Sequence, residues 1–157
     1  SGARDSYSET RQKAQYQQSM RAVISLMSRE IRAAGCDPAG AGFDTFTYAD
    51  AVGIQYQMDL NGDSDVADTG PDETVAYIWQ SSSGNLFRIA GGTFQVIMRG
   101  VTNMAFTYFD ENGAALSVTP LSATDRAQVR HLNVTIEGET NQGDPVSYTT
   151  RVALRNG

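Results

Sequence analysis

From about Asp5 to Ala34 the chain contains no Pro or Gly and is rich in Gln, Arg, Ala, Met and Glu, residues that cost a helix little. Tyr16, Met20, Val23, Met27, Ile31 and Ala34 recur at spacings of 4, 3, 4, 4 and 3, one apolar stripe along a helix, while Arg21, Arg29, Glu30 and Arg32 lie mostly off it. The pattern predicts one long helix that buries its second half and leaves the part before Tyr16 bare. At about 1.5 Å per residue such a helix reaches roughly 45 Å, longer than the body of a domain this size, so some of it is expected to protrude. Gly35 supplies a stop, and Pro38 prevents a quick restart.

After Gly35 the period changes from helical to alternating and stays so. Ile54, Tyr56 and Met58 alternate with polar residues, as do Val75, Tyr77 and Trp79, then Phe94, Val96 and Met98, then Leu132, Val134 and Ile136, and finally Val146, Tyr148, Thr150 and Val152. Each set predicts a half-buried strand, and Tyr56, Tyr77 and Trp79 fall at positions a covering helix would bury. Ser81–Asn85 and Gly91-Gly92 punctuate Thr74–Gln80, Leu86–Ile89 and Thr93–Met98 into a three-stranded meander. Met104, Phe106 and Tyr108 begin another strand, closed by the Asn112-Gly113 turn, and Thr140–Pro145 is the last hairpin loop. One helix followed only by antiparallel strands, with no second helical pattern, predicts an α+β fold with the helix lying across one sheet face. Residues 1–35 form the helix and 36–157 the β-rich part of the same single domain.

The 157 residues are 40% hydrophobic and 19% charged, the composition of a folded domain rather than a disordered tail, and no run approaches eighteen apolar residues. With 12 basic against 18 acidic residues the net charge is -6, which repels a phosphate backbone and argues against nucleic acid as a partner. Charge is unevenly placed. Six basic residues and three acids lie between Ser1 and Gly35, whereas Cys36–Phe87 holds nine acids and no Lys or Arg. Such a block destabilises a compact state unless its carboxylates are solvated, paired or neutralised by a cation.

Within it, Asp59-Leu60-Asn61-Gly62-Asp63-Ser64-Asp65, followed by Asp68, Asp72 and Glu73, places oxygens at alternate positions with a glycine that lets the backbone curl. This is how a short loop wraps a hard cation, and it is similar to the start of an EF-hand or dockerin-like calcium loop. The twelfth position is Gly70 instead of Glu, the sixth is Ser64 instead of Gly, and no helices flank the loop, which rejects a full EF-hand. A looser Ca²⁺ loop between two strands stands against a solvated acidic turn, since Asp, Asn and Gly are also common turn formers.

Other chemistry is sparse. Cys36 is the lone cysteine, so no internal disulfide forms, and it reads as a small buried filler; His131 is the lone histidine and reads as a surface imidazole, which excludes a histidine-paired zinc site. There is no nucleotide loop, nucleophile elbow or other catalytic signature, and the chain is read as not an enzyme.

Several pieces in order resemble the minor pilins of type IV pili, in particular the PilW-like proteins, and their type II secretion counterpart, the minor pseudopilin GspJ. They are Leu26–Cys36 (LMSREIRAAGC), Met58–Asp63 (MDLNGD), Val101–Gly113 (VTNMAFTYFDENG), Val129–Glu137 and Thr149–Asn156. The resemblance implies a pilin-like fold, a long helix half buried in an antiparallel sheet. It implies a structural subunit held in the inner membrane by an apolar half-helix upstream, with Ser1-Gly2 as a tag remnant. The domain would face the periplasm and then sit at the pilus or pseudopilus tip. Partners would be other minor pilins or pseudopilins and the major pilin, met at an interface including Tyr16, Met20, Arg21 and Met27. A calcium-dependent adhesin or ligand-binding module is the alternative from another class.

Overall fold

The structure, a computed structural model, describes residues 2–67, 72–117 and 120–155, with residues 2–7 and 9 described through their backbone alone. Helix α1 spans Gly2–Arg32. Strands β1 (Phe46–Ala49), β2 (Gly53–Gln57), β3 (Thr74–Gln80), β4 (Asn85–Ala90) and β5 (Thr93–Met98) follow, then β6 (Val101–Phe109), β7 (Ala115–Leu116), a short helix α2 (Ala123–Gln128), β8 (His131–Glu139) and β9 (Pro145–Ala153). All strand pairs are antiparallel.

The stripe behaves as its spacing requires. Met20, Met27 and Ile31 are completely buried, with Val23, Ile24 and Ala34 close to it. Each large side chain so removed from water contributes about 1.5–3 kcal/mol relative to exposure. The helix ends where Gly35 adopts a φ of 81° and donates its N–H to Gln57 O at 2.9 Å.

The expected pilin-like α+β design, one sheet with the helix laid across a single face, is corrected by the strand order. The fold is β-rich, with nine strands and two helices among the described residues. Its strands fall into two sheets, β1-β2-β3-β4-β5 and β7-β6-β8-β9. Helix α1 lies against β9 of the second sheet and touches β5 of the first. The physical reason is strand length. β6, β8 and β9 each hold nine residues, and β6 pairs along its length with β8, whereas the strands of the first sheet hold four to seven. Gly100, at a φ of 70°, turns the chain out of the first sheet so that β6 leaves β5 behind. The meander β3-β4-β5 and the β8–β9 hairpin match expectation. Strand β1 and helix α2 do not: α2 carries no buried residue, so it has no apolar period to reveal it, and Ser122 caps it by accepting from Asp125 N–H at 3.2 Å.

Both sheets feed one core, containing Phe46, Ile54, Tyr56, Tyr77, Leu86, Met104, Leu132 and Ile136. Trp79 is half-buried and bridges the sheets, its indole N–H donating to Val101 O at 3.1 Å. Cys36 is half-buried against the core, and His131 is half-buried with its ring stacked on Phe109 at 4.7 Å between centroids.

Candidate metal centre

Strands β2 and β3 pair with Tyr56 opposite Val75 and Gln57 opposite Thr74. One step further along the ladder, Met58 N–H donates to Glu73 O at 2.9 Å, and Asp59 N–H donates to Cys36 O at 2.7 Å. These bonds carry Asp59 and Glu73 into the interior, both completely buried. The loop between them then folds around the Asp59 carboxylate. Its Oδ1 accepts from Gly62 N–H at 2.9 Å and Asp63 N–H at 3.2 Å, and its Oδ2 from Ser64 N–H at 2.7 Å. Gly62 sits at a φ of 73°, and Ser64 takes a φ of 67°, a left-handed conformation that costs a non-glycine residue roughly 1–2 kcal/mol. The bond to Asp59 holds Ser64 there. Glu73 accepts from Leu60 N–H across the loop.

Asp59, Asp63 and Glu73 offer carboxylate oxygens that all lie within 4.8 Å of one another, two of the residues buried and Asp63 exposed, so the three can hold a metal ion. A carboxylate has about four lone-pair sites, and three at Asp59 are taken by backbone amides, leaving one to share. Of the other expected carboxylates, Asp65 and Asp72 stand outside this group. Asn61 Nδ2 donates to Asp63 Oδ2 at 3.3 Å and stays at the rim; Asp65 accepts from Ala67 N–H at 2.8 Å. Asp72 Oδ2 faces Arg88 at 3.6 Å, and Asp68 lies outside the described residues. Of the sevenfold oxygen set of the sequence, the carboxylates of Asp59, Asp63 and Glu73 come together among the described residues.

On the helix, Met20 and Met27 are wholly buried in the core. Arg21 is exposed and donates to the Tyr148 hydroxyl, its guanidinium 5.2 Å from that ring's centroid. Tyr16 donates to Gly100 O at 3.0 Å and Arg99 O at 3.3 Å.

A second polar cluster escaped the sequence reading. Glu30 of α1 is gripped by Arg88 of β4 in a two-pronged pair, Nε to Oε1 at 2.8 Å and Nη2 to Oε2 at 2.7 Å, and also accepts from the Tyr77 hydroxyl. Burial by itself pushes the Glu30 carboxyl up, but the bonds from Arg88 and Tyr77 outweigh it and hold the group below the usual range. Burial and then the Glu30 carboxylate push Tyr77 up. The available signal was Arg88 itself, the one cation between Arg32 and Arg99. The network ties the helix to the first sheet.

No protein-family model matches the chain, and no curated protein matches it. Among the described residues no helix is long and apolar enough to cross a membrane.

Proposed function

We propose that the protein is a minor pilin or pseudopilin, a non-enzymatic structural subunit of the priming or tip complex of a type IV pilus or type II secretion pseudopilus. The observation that carries the reading is the step in burial along α1. Arg11–Ser19 are exposed or half-buried, and from Met20 the helix enters the core at helical intervals to Ile31. A helix that is body on one half and bare on the other suits a spine shared with neighbouring subunits. The sequence resemblance adds an apolar segment continuing α1 upstream, which would hold the subunit in the inner membrane with this domain in the periplasm, and names the partners as sibling minor pilins or pseudopilins and the major pilin. Opposite charges support side-by-side assembly, since the basic helix of one copy suits the acidic 36–87 block of another protein of this type. The test is to mix the protein with the soluble domains of sibling minor pilins and follow complexes by sedimentation. Defined stoichiometric complexes are expected; binding to none of them, or turnover of a substrate, overturns the assignment.

In this reading the Asp59, Asp63 and Glu73 cluster takes Ca²⁺. The donors are hard oxygens with no sulfur or imidazole among them, the ligand chemistry that suits Ca²⁺. Few protein ligands imply modest affinity, on the order of 10⁻⁴–10⁻³ M. Thermal melting in EDTA and then in millimolar calcium should raise the midpoint of the parent and leave Asp59→Ala/Asp63→Ala unmoved. An indifferent parent removes the ion from the proposal.

A further inference from the structure

An asparagine followed by glycine carries its own reaction. With no Cβ in the way, the glycine nitrogen can reach the asparagine side-chain carbonyl and close a ring. The chain holds three such pairs, Asn61-Gly62, Asn112-Gly113 and Asn156-Gly157, the last outside the described residues.

The fold treats the first two differently. Gly62 N–H is donated to the carboxylate of the completely buried Asp59 at 2.9 Å. Asn61 is tied at both ends of its side chain, Oδ1 accepting from Asp63 N–H at 3.2 Å and Nδ2 donating to Asp63 Oδ2 at 3.3 Å. Pro38 backs the turn, since a Cβ at Gly62 would lie 3.6 Å from its ring. In the β6–β7 turn, Asp110 Oδ1 accepts from Asn112 N–H and Ala114 N–H, each at 2.9 Å, and passes over Gly113. The Gly113 N–H goes to a neutral carbonyl, Asp110 O, at 3.1 Å. The Asn112 side chain makes no hydrogen bond among the described residues. Asn112 and Gly113 are exposed, and a Cβ at Gly113 would meet nothing within 4 Å. A cavity of about 300 Å³ lined by Asp110, Glu111, Asn112, Gln128 and Arg130 brings water to the turn.

The geometry points to Asn112 as a site of spontaneous deamidation in the folded protein, with Asn61 protected by its loop. This is independent of the pilin assignment. The Gly113 nitrogen gives its proton to a solvent base and bonds to Asn112 Cγ. The Cγ–Nδ2 bond breaks, and Nδ2 takes up a proton and leaves as ammonia. Water then opens the cyclic imide. Opening at Cγ gives aspartate; opening at the backbone carbonyl gives isoaspartate, with the chain continuing through the former side chain. Either product sets a new carboxylate beside Asp110 and Glu111. Isoaspartate also lengthens the backbone inside the turn, so Asp110 Oδ1 can no longer hold the amides on both sides of Gly113. β7 pairs with β6 only through Tyr108–Leu116 and Phe109–Ala115, and it is released. At Asn61 the same closure must first break a charge-assisted bond and both side-chain tethers, which slows it by about tenfold or more.

The experiment ages the folded protein for weeks in mildly alkaline buffer and follows carboxylate formation at each asparagine by peptide mass spectrometry. Residue 112 should convert, mostly to isoaspartate, at least about tenfold faster than residue 61. In denaturant the two should react at similar rates. Asn112→Gln, whose longer side chain would have to close a larger ring, should melt like the parent and keep its charge at that position. The isoaspartate form, separated by its charge, should exchange the amides of residues 114–116 faster than fresh protein. No carboxylate at residue 112, equal rates at 61 and 112 in the folded state, a difference that survives unfolding, or unchanged exchange at 114–116 would overturn the inference.

Discussion

Glu30 is an acid in the buried half of a helix, and its tolerance there depends on Arg88 arriving from β4 with both nitrogens aligned. Their side chains are 22% and 17% exposed, so removing one partner strands a charge in a poorly solvated place. Glu30→Ala should cost about 2–4 kcal/mol, read from chemical denaturation, and Arg88→Met should cost a similar amount. The pH dependence follows from the lowered Glu30 carboxyl. Its contribution is fully present above the unfolded value of about 4.3 and is lost as pH falls through the lower folded value, so Glu30→Gln should flatten the acid limb of the stability profile. Asp59 makes a different prediction. Because its carboxylate accepts three loop amides, Asp59→Ala should lower stability by about 1–3 kcal/mol even in EDTA, separating its turn-building role from any role toward an ion.

Helix α1 shows how far a one-dimensional pattern reaches. The spacing of Met20, Val23, Met27 and Ile31 carries enough information to place that face in the core, and Ile31→Asp should cost about 4 kcal/mol by burying an unpaired carboxylate; an unchanged melting temperature would remove the helix from the core. Strand faces were legible for the same reason. Strand neighbours were legible only where a short turn joins them, as in β3-β4-β5 and β8–β9, because alternation says which side of a strand is wet and nothing about whether β6 prefers β5 or β8. The acidic loop was legible as a cluster of turn-forming acids, yet its inner members are decided by the β2–β3 register, which sets Glu73 opposite Met58 and leaves Asp65 and Asp72 outside. Gly138 belongs to this scale as well. A Cβ there would lie 2.1 Å from the Tyr16 hydroxyl and 3.0 Å from Gly100 O. Gly138→Ala should therefore break the Tyr16 bonds, and amide exchange around residues 12–19 should accelerate while that of β8 near Leu132 changes little.

At the scale of the whole molecule, two sheets of unequal strand length share one core and are joined by direct hydrogen bonds. One of these is the bond from Trp79 of β3 to Val101 at the start of β6. Trp79 is also the sole tryptophan of the chain. Its emission consequently reports on the seam between the sheets and is silent about the outer half of α1. If unfolding is a single cooperative event, the red shift of that emission and the loss of helical ellipticity should coincide on heating. A domain in which the bare half of α1 melts early would instead lose ellipticity first, while the indole signal held until the seam parted.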